Sequence, residues 1–286
     1  MKFSERIIST WLVASVLPAA VFGVEIFSAP TDVDTWKLNQ TRLECRLEQG
    51  IEHYGAAVFT QQYAQKIHFK LYYYQQLENH TPARLTIMGP PWNSQIAPKE
   101  IGEFTLLPGR ETLELNTLNT QKILSALKNG LVPEFNYKNS INEVVKVRLS
   151  GLDFRQDYQK FLTCVAQLLP IPFTAVEYSV GYFKSNGIEL SPSMQEQLQK
   201  VRDYVLADPE VVKISIWGYS DNSGRQGLNN HLSKRRAENA RDYLIRKGVP
   251  ADLIKITWRG ERDPVADNAT AEGRAKNRRV VVRIVR

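Results

Sequence analysis

Between residues 57 and 149 apolar and polar side chains alternate in short runs. KIHFKLYYY at 66–74, RLTIM at 84–88, EFTLL at 103–107, ETLEL at 111–115 and VVKVRL at 144–149 each show partial period-two patterning. Turn clusters such as Gly89-Pro90-Pro91 and Pro108-Gly109 separate them. This predicts a mainly antiparallel β domain, a soluble barrel or sandwich. Two helices are expected to cap it. One covers 120–129, with Ile123 and Leu127 on one face and Gly130 as its stop. The other covers 153–168, where Phe154, Tyr158, Phe161, Val165 and Leu168 recur at helical spacing and Cys164 sits beside the stripe. Two prolines in LLPIPF then stop that helix and stiffen a linker over 168–173.

The rhythm changes beyond the linker. AVEYSVGYF at 175–183 reads as a strand, and Ser191-Pro192 opens a helix whose Met194, Leu198, Val201 and Val205 form one apolar seam. VVKISIWGY at 211–219 is again a strand. A helix over 230–247 is expected to turn Leu232, Ala240, Tyr243 and Leu244 inward and to stop at Gly248. IKITWRG at 254–260 and RVVVRIV at 279–285 complete a β-α-β-α-β-β order, an α+β unit over 174–286. The chain therefore divides into a β-rich domain over 24–167, the linker, and this second unit.

The first residues change the compartment. Lys2 and Arg6 lead into an uncharged apolar run over 7–22, the pattern of a signal peptide over 1–23 that leaves a mature chain starting near Val24. An uncleaved anchor is the alternative, although the run falls short of the ~20 residues a spanning helix needs. No cysteine precedes Cys45, which excludes lipid attachment at the cleavage site. Export also gives the two cysteines a meaning: an even count favours one disulfide, Cys45 to Cys164, over two free thiols. Closing so long a loop contributes ~4 kcal/mol in the chain-entropy model. The four histidines, His53, His68, His80 and His231, match no metal-ligand spacing with those cysteines, so no metal and no cofactor is expected.

The net charge of +7 is uneven, with 20 Lys+Arg against 14 Asp+Glu over 168–286 and 17 against 16 before it. In a cytoplasmic chain this would suggest nucleic acid. In an exported one it suggests an anionic polymer of the cell envelope, with a merely solubilising surface as the bland alternative.

Candidate chemistry concentrates in GYSDNSGRQGLNNHLSKRRAEN at 218–239. The strand delivers Asp221 to the rim of the sheet, and Arg236 lies one helical turn beyond Leu232, on the sheet side of its helix. A carboxylate and a guanidinium converging there can grip a zwitterion, or they can form a salt bridge with each other. Both readings stay open on spacing alone. Asn229 has a bland reading as a helix cap or its neighbour, and Arg278 and Arg279 as a solvated charge run.

GYSD, NNHLSKRRA at 229–237 and GERDPVADNATAEGRAKNRRV at 260–280 together resemble the signature of the OmpA-like domain, which binds peptidoglycan. The resemblance implies non-covalent capture of diaminopimelate in the peptide stem. Asp221 would take its ammonium and Arg236 its carboxylate. Asn229 and Ser220 would add hydrogen bonds, and Arg278 would reach the carboxylate from the last strand. Asn186 falls where the family has an asparagine, but Lys184 and Gly187 replace the usual acid and serine around it.

The β-rich domain is similar to another family. TRLECRLEQGIEHYGAAVFTQQYAQKIHFKL at 41–71 resembles the N-terminal segment of the MotY family of flagellar motor proteins. That likeness implies a periplasmic protein whose first domain associates with the flagellar basal body and stator-associated partners, while the second pins the assembly to the wall. A general envelope tether, unrelated to motility, is the alternative. Strands of five or six residues with charges along them are short of the ~9–11 that span an outer membrane, so the mature chain is expected to lie outside the bilayer. No serine, cysteine or metal constellation suits catalysis, and no enzymatic activity is expected.

Overall fold

The computed structural model describes residues 23–29, 36–74, 77–93, 95–108 and 112–286. The signal peptide expected over 1–23 lies outside them except for Gly23. The first half of the chain contributes β1 (Val24–Ser28), β2 (Lys37–Gln40), β3 (Glu44–Ile51), β4 (Gly55–Gln62), β5 (His68–Tyr73), β6 (Thr81–Met88), β7 (Lys99–Leu106) and β8 (Thr112–Leu115). After these come α1 (Thr117–Lys128), β9 (Val132–Lys138), β10 (Val144–Arg148) and α2 (Phe154–Ala166). They form two five-stranded sheets, ordered β1-β10-β9-β6-β7 and β2-β3-β4-β5-β8, antiparallel except where β1 runs parallel to β10.

The two sheets share one core. Leu47, Phe59 and Phe69 from one sheet, Leu85, Phe135 and Val147 from the other, and Phe154 and Phe161 from α2 belong to a single buried cluster. Phe69 stacks on Phe135 across the two sheets, ring centroids 6.1 Å apart. Each such side chain contributes about 1.5–3 kcal/mol by leaving water. The capping-helix expectation holds, with one shift at the start of α1. Asn116 accepts a hydrogen bond from the Asn119 N–H at 2.9 Å and so opens α1 at Thr117, ahead of the apolar pattern. Cys45 on β3 and Cys164 on α2 are disulfide-bonded in that core. Further along β3, buried Gln49 exchanges hydrogen bonds with the backbone of Ser150, and the Trp36 indole N–H donates to the same carbonyl at 2.8 Å.

The second half holds β11 (Tyr178–Tyr182), α3 (Pro192–Val205), β12 (Lys213–Gly218), α4 (Gln226–Arg246), β13 (Ile254–Trp258), α5 (Ala271–Asn277) and β14 (Arg279–Val285). Its sheet is ordered β11-β14-β12-β13, with β12 parallel to β13 and the other pairs antiparallel. Met194 and Leu198 of α3 and Ala237, Ala240 and Leu244 of α4 bury Ile214, Ile216, Val280, Val282 and Ile284 on one face of the sheet. The short α5 adds to the expected β-α-β-α-β-β order.

Two sequence-based boundaries in this half are also corrected. A 3-10 turn at Phe173–Ala175, following Pro172, delays the first strand to Tyr178. Helix α4 begins at Gln226 rather than 230, so Asn229 lies inside it rather than at its cap. Its buried face is Asn229, Ser233, Arg236, Ala237, Ala240 and Leu244, whereas Leu232 and Tyr243 are only half-buried. Close approach explains why polar residues hold the inner positions: a Cβ on Gly218 would run into the Ser233 carbonyl. Gly218→Ala is therefore expected to force β12 and α4 apart and to destabilise this half by about 1–3 kcal/mol, read by urea unfolding.

Candidate functional site

The site lies where β12 ends. Beyond Gly218 the chain is held by two backbone hydrogen bonds, Tyr219 N–H to the Arg279 carbonyl at 2.9 Å and Ser220 N–H to the Gly260 carbonyl at 2.7 Å. These fix Ser220 and Asp221 under the start of α4, and both are buried. Asp221 Oδ1 accepts from the Ser223 N–H at 3.0 Å, which closes the turn, and Oδ2 accepts from Arg278 Nη1 at 2.8 Å.

Arg278 is thus the ion-pair partner of Asp221, not Arg236. It stands at the C-terminal cap of α5, one residue ahead of β14, rather than in the last strand. Its Nε also donates to the Phe183 carbonyl at 3.1 Å, which ties the exit of β11 to Asp221. The solvated-run reading fails for both arginines. Arg279 is 5 % exposed, lies 3.7 Å from the Tyr219 ring centroid and donates to the Asp263 carbonyl at 2.9 Å.

Arg236 is fully buried. Nε donates to the Gly187 carbonyl at 2.9 Å, Nη1 donates to the Tyr219 carbonyl at 2.8 Å, and the guanidinium lies 4.9 Å from the Phe183 ring centroid. Nη2 has no partner. Burial lowers the pKa of this guanidinium to about 10; Asp221 opposes the fall and Arg278 adds to it. Among the described residues two further buried atoms also lack partners, Ser220 Oγ and Asn229 Oδ1; Asn229 shares the buried face of α4 with Arg236, and Ser220 follows Tyr219, whose carbonyl Arg236 meets. Asn229 spends its amide N–H on Glu261 Oε2 at 2.6 Å.

Three unpartnered polar atoms in one buried cluster are chemically informative. Each costs about 1–3 kcal/mol when left unmet. One is an N–H of a cation, one a carbonyl oxygen and one a hydroxyl, so together they suit an occupant that carries both an acceptor and a donor. Among the described residues no group of His, Cys, Asp and Glu could hold a metal ion.

Asn186 is the outlier of the expected set. It is exposed and adopts φ 55°, a left-handed conformation that asparagine tolerates. That turn reaches the cluster through backbone instead, since the next residue supplies the carbonyl that Arg236 Nε meets. Sequence reasoning missed three supports. Glu261 orients Asn229, the Gly187 and Tyr219 carbonyls hold Arg236, and buried Asn277 organises the loop before α5. Asn277 Oδ1 accepts from Val265 and Ala266, and its Nδ2 donates to Ala266 and Asn268. Glu261 and Asn277 lie within the 260–280 motif, so their signal was present without an indication of their role.

Residues 27–170 match the family model described as the MotY N-terminal domain, and residues 182–278 match that of the OmpA family. The sodium-type flagellar protein MotY of Vibrio parahaemolyticus is 29% identical to this chain over 98% of each. Two relatives match only the second half. The peptidoglycan-binding protein ArfA of Mycobacterium tuberculosis is 44% identical over 35% of this chain and 30% of its own length. The outer-membrane lipoprotein YfiB of Pseudomonas aeruginosa is 38% identical over 35% of this chain and 59% of its own.

Proposed function

The chain belongs to the family defined by the MotY N-terminal domain and carries an OmpA-family domain behind it, and from that premise we propose that it is a periplasmic component of the flagellar motor that binds peptidoglycan. The observation that carries this reading is the pairing of both domains in one chain, alike to a flagellar protein from end to end. The domain over 24–167 associates with the basal body and stator-associated proteins. The domain over 174–286, joined by the linker at 168–173, anchors the assembly to the wall.

Wall binding is assigned to the buried cluster. Arg236 Nη2 takes a carboxylate of diaminopimelate, with Arg278 beside it, while Asp221 and Asn229 Oδ1 take the ammonium. Ser220 Oγ supplies a further hydrogen bond, and Asn186 borders the entrance. The unmet hydrogen-bonding capacity of Arg236, Asn229 and Ser220 supports this assignment. The second reading, a general tether between wall and envelope, is favoured by the relatives that share only the OmpA-family half.

Deleting the gene separates the two. Cells that keep their filaments by electron microscopy but swim slowly or not at all support the motor role. Normal swimming with blebbing or detergent-sensitive envelopes sinks it and leaves the general tether.

A further inference from the structure

Among the described residues, the sheet that carries the site is covered by helices on one face only, the face of Ile214, Ile216, Val280, Val282 and Ile284. Alternation along β11 turns Tyr178, Val180 and Tyr182 to the other face, where they are 54 %, 44 % and 54 % exposed. Strand register continues the pattern. Arg283 stands opposite Tyr178 and between it and Ser215, while Trp217 lies beyond Val281 and Lys255 beyond Ser215.

This open face therefore combines three aromatic rings, Tyr178, Tyr182 and Trp217, with three exposed cations, Lys213, Lys255 and Arg283. No Asp or Glu stands at an outward position of the four strands. Among the described residues none of the three cations forms an ion pair, and Arg283 instead lies 5.1 Å from the Tyr178 ring centroid. An exposed aromatic patch ringed by unpaired charge of one sign marks a docking surface for something of the opposite sign.

We propose that this face is a second wall contact, a platform on which a glycan strand of peptidoglycan lies with the carboxylates of its stem peptides toward the cations. The inference rests on the reading of the site given above. Sugar rings present C–H faces that stack on tyrosine and tryptophan, and the stems supply the negative charge that Lys213, Lys255 and Arg283 lack. Nearness to the site, at one end of the sheet, supports the same occupant. Tyr182 pairs with Arg279, the neighbour of Arg278, and Trp217 directly precedes Gly218, where the chain turns toward Asp221. Tyr182 and Trp217 stand at the same end of the sheet as the stem-binding cluster, on the opposite face from Arg236. The five residues of β11 extend about 17 Å, long enough for more than one sugar ring. A second copy applied face to face would set cation against cation, which disfavours it.

The test uses the mature full-length chain with two probes, purified sacculi and the free stem tripeptide ending in diaminopimelate. Tyr178→Thr/Tyr182→Thr and Lys213→Gln/Lys255→Gln/Arg283→Gln alter exposed strand positions. Each is expected to weaken retention on sacculi about tenfold while leaving tripeptide affinity within about twofold of wild type. The glutamine variant is also expected to flatten the salt dependence of retention. Wild-type retention by both variants overturns the proposal, as does equal loss toward both probes, which would place the effect in the stem cluster. Conversion of a wild-type dimer to monomer by the tyrosine variant, seen by analytical ultracentrifugation, would overturn it in favour of a second copy. If wild type binds neither probe, the reading of the site fails first and the platform with it.

Discussion

Arg236→Met protein is expected to remain folded and to lose about 2–5 kcal/mol of wall-binding free energy, roughly thirtyfold to several thousandfold in affinity. The reason is the position of the side chain. Two of its nitrogens are engaged by the Gly187 and Tyr219 carbonyls, so the third is held in a fixed direction with nothing to meet. A carboxylate arriving there forms a charge-assisted bond without ordering a flexible side chain. Methionine keeps the stem of the side chain but leaves both carbonyls unmet, a cost of about 1–3 kcal/mol that release of a buried cation partly offsets. Arg236→Lys keeps the charge, yet a single ammonium cannot bridge two carbonyls and still face a ligand. Sedimentation with purified sacculi, alongside urea unfolding, reads both effects. Retention of Arg236→Met at the wild-type level would show that the cluster is not the wall site.

The same guanidinium sets a pH signature. Its folded pKa, about 10, lies below its ordinary value. Between the two the folded state holds fewer protons than the unfolded chain, so this group makes stability rise with pH in that window. Below about pH 10 its burial is a standing cost. Wild type is therefore expected to gain stability relative to Arg236→Met as the pH rises from 9 to 11.5.

Cys45→Ala/Cys164→Ala protein is expected to lose about 2–5 kcal/mol of stability in its β-rich half while binding sacculi as wild type does. The bridge spans 119 positions and joins β3 to α2 inside the core that both sheets share. Without it, α2 is held by its packing through Phe154, Tyr158 and Phe161 and by the hydrogen bonds of Arg155 to the Lys128 carbonyl. The second core contains neither cysteine. Urea unfolding with and without reductant should show one transition moving and the other fixed. A shift of both would mean that the two halves unfold as one unit.

Much of the second half was legible because its pattern is regular. The seam Met194, Leu198, Val201 and Val205 and the alternation of RVVVRIV appear in the structure as a buried helix face and a central strand. Reading weakened where burial and hydrophobicity part. Periodicity predicts an apolar inner face through Leu232 for helix α4, yet Asn229, Ser233 and Arg236 occupy it, because the nearby sheet end is a polar site and Gly218 admits a close approach. In the first half, β3 and β4 escaped the pattern for a related reason. Burial alternates along β3, but polar Gln49 holds one of its inner positions because Ser150 satisfies it, and GAAVFTQQ in β4 hides five consecutive residues.

By itself the sequence determined the elements whose periodicity is strong, the pairing of the only two cysteines, and the residue types gathered near residues 218–239 and 260–280. Those follow from local spacing and from arithmetic on a small number of cysteines. Only the tertiary structure decided which charge meets which. Asp221 pairs with Arg278 rather than with Arg236, and Arg236 is held by backbone carbonyls from two separate segments. Hydrogen bonds between residues 17 to 57 positions apart depend on how β11, β12, α4 and α5 converge. One chain of side-chain types permits several such pairings, and packing selects the one that leaves Arg236 with an open N–H.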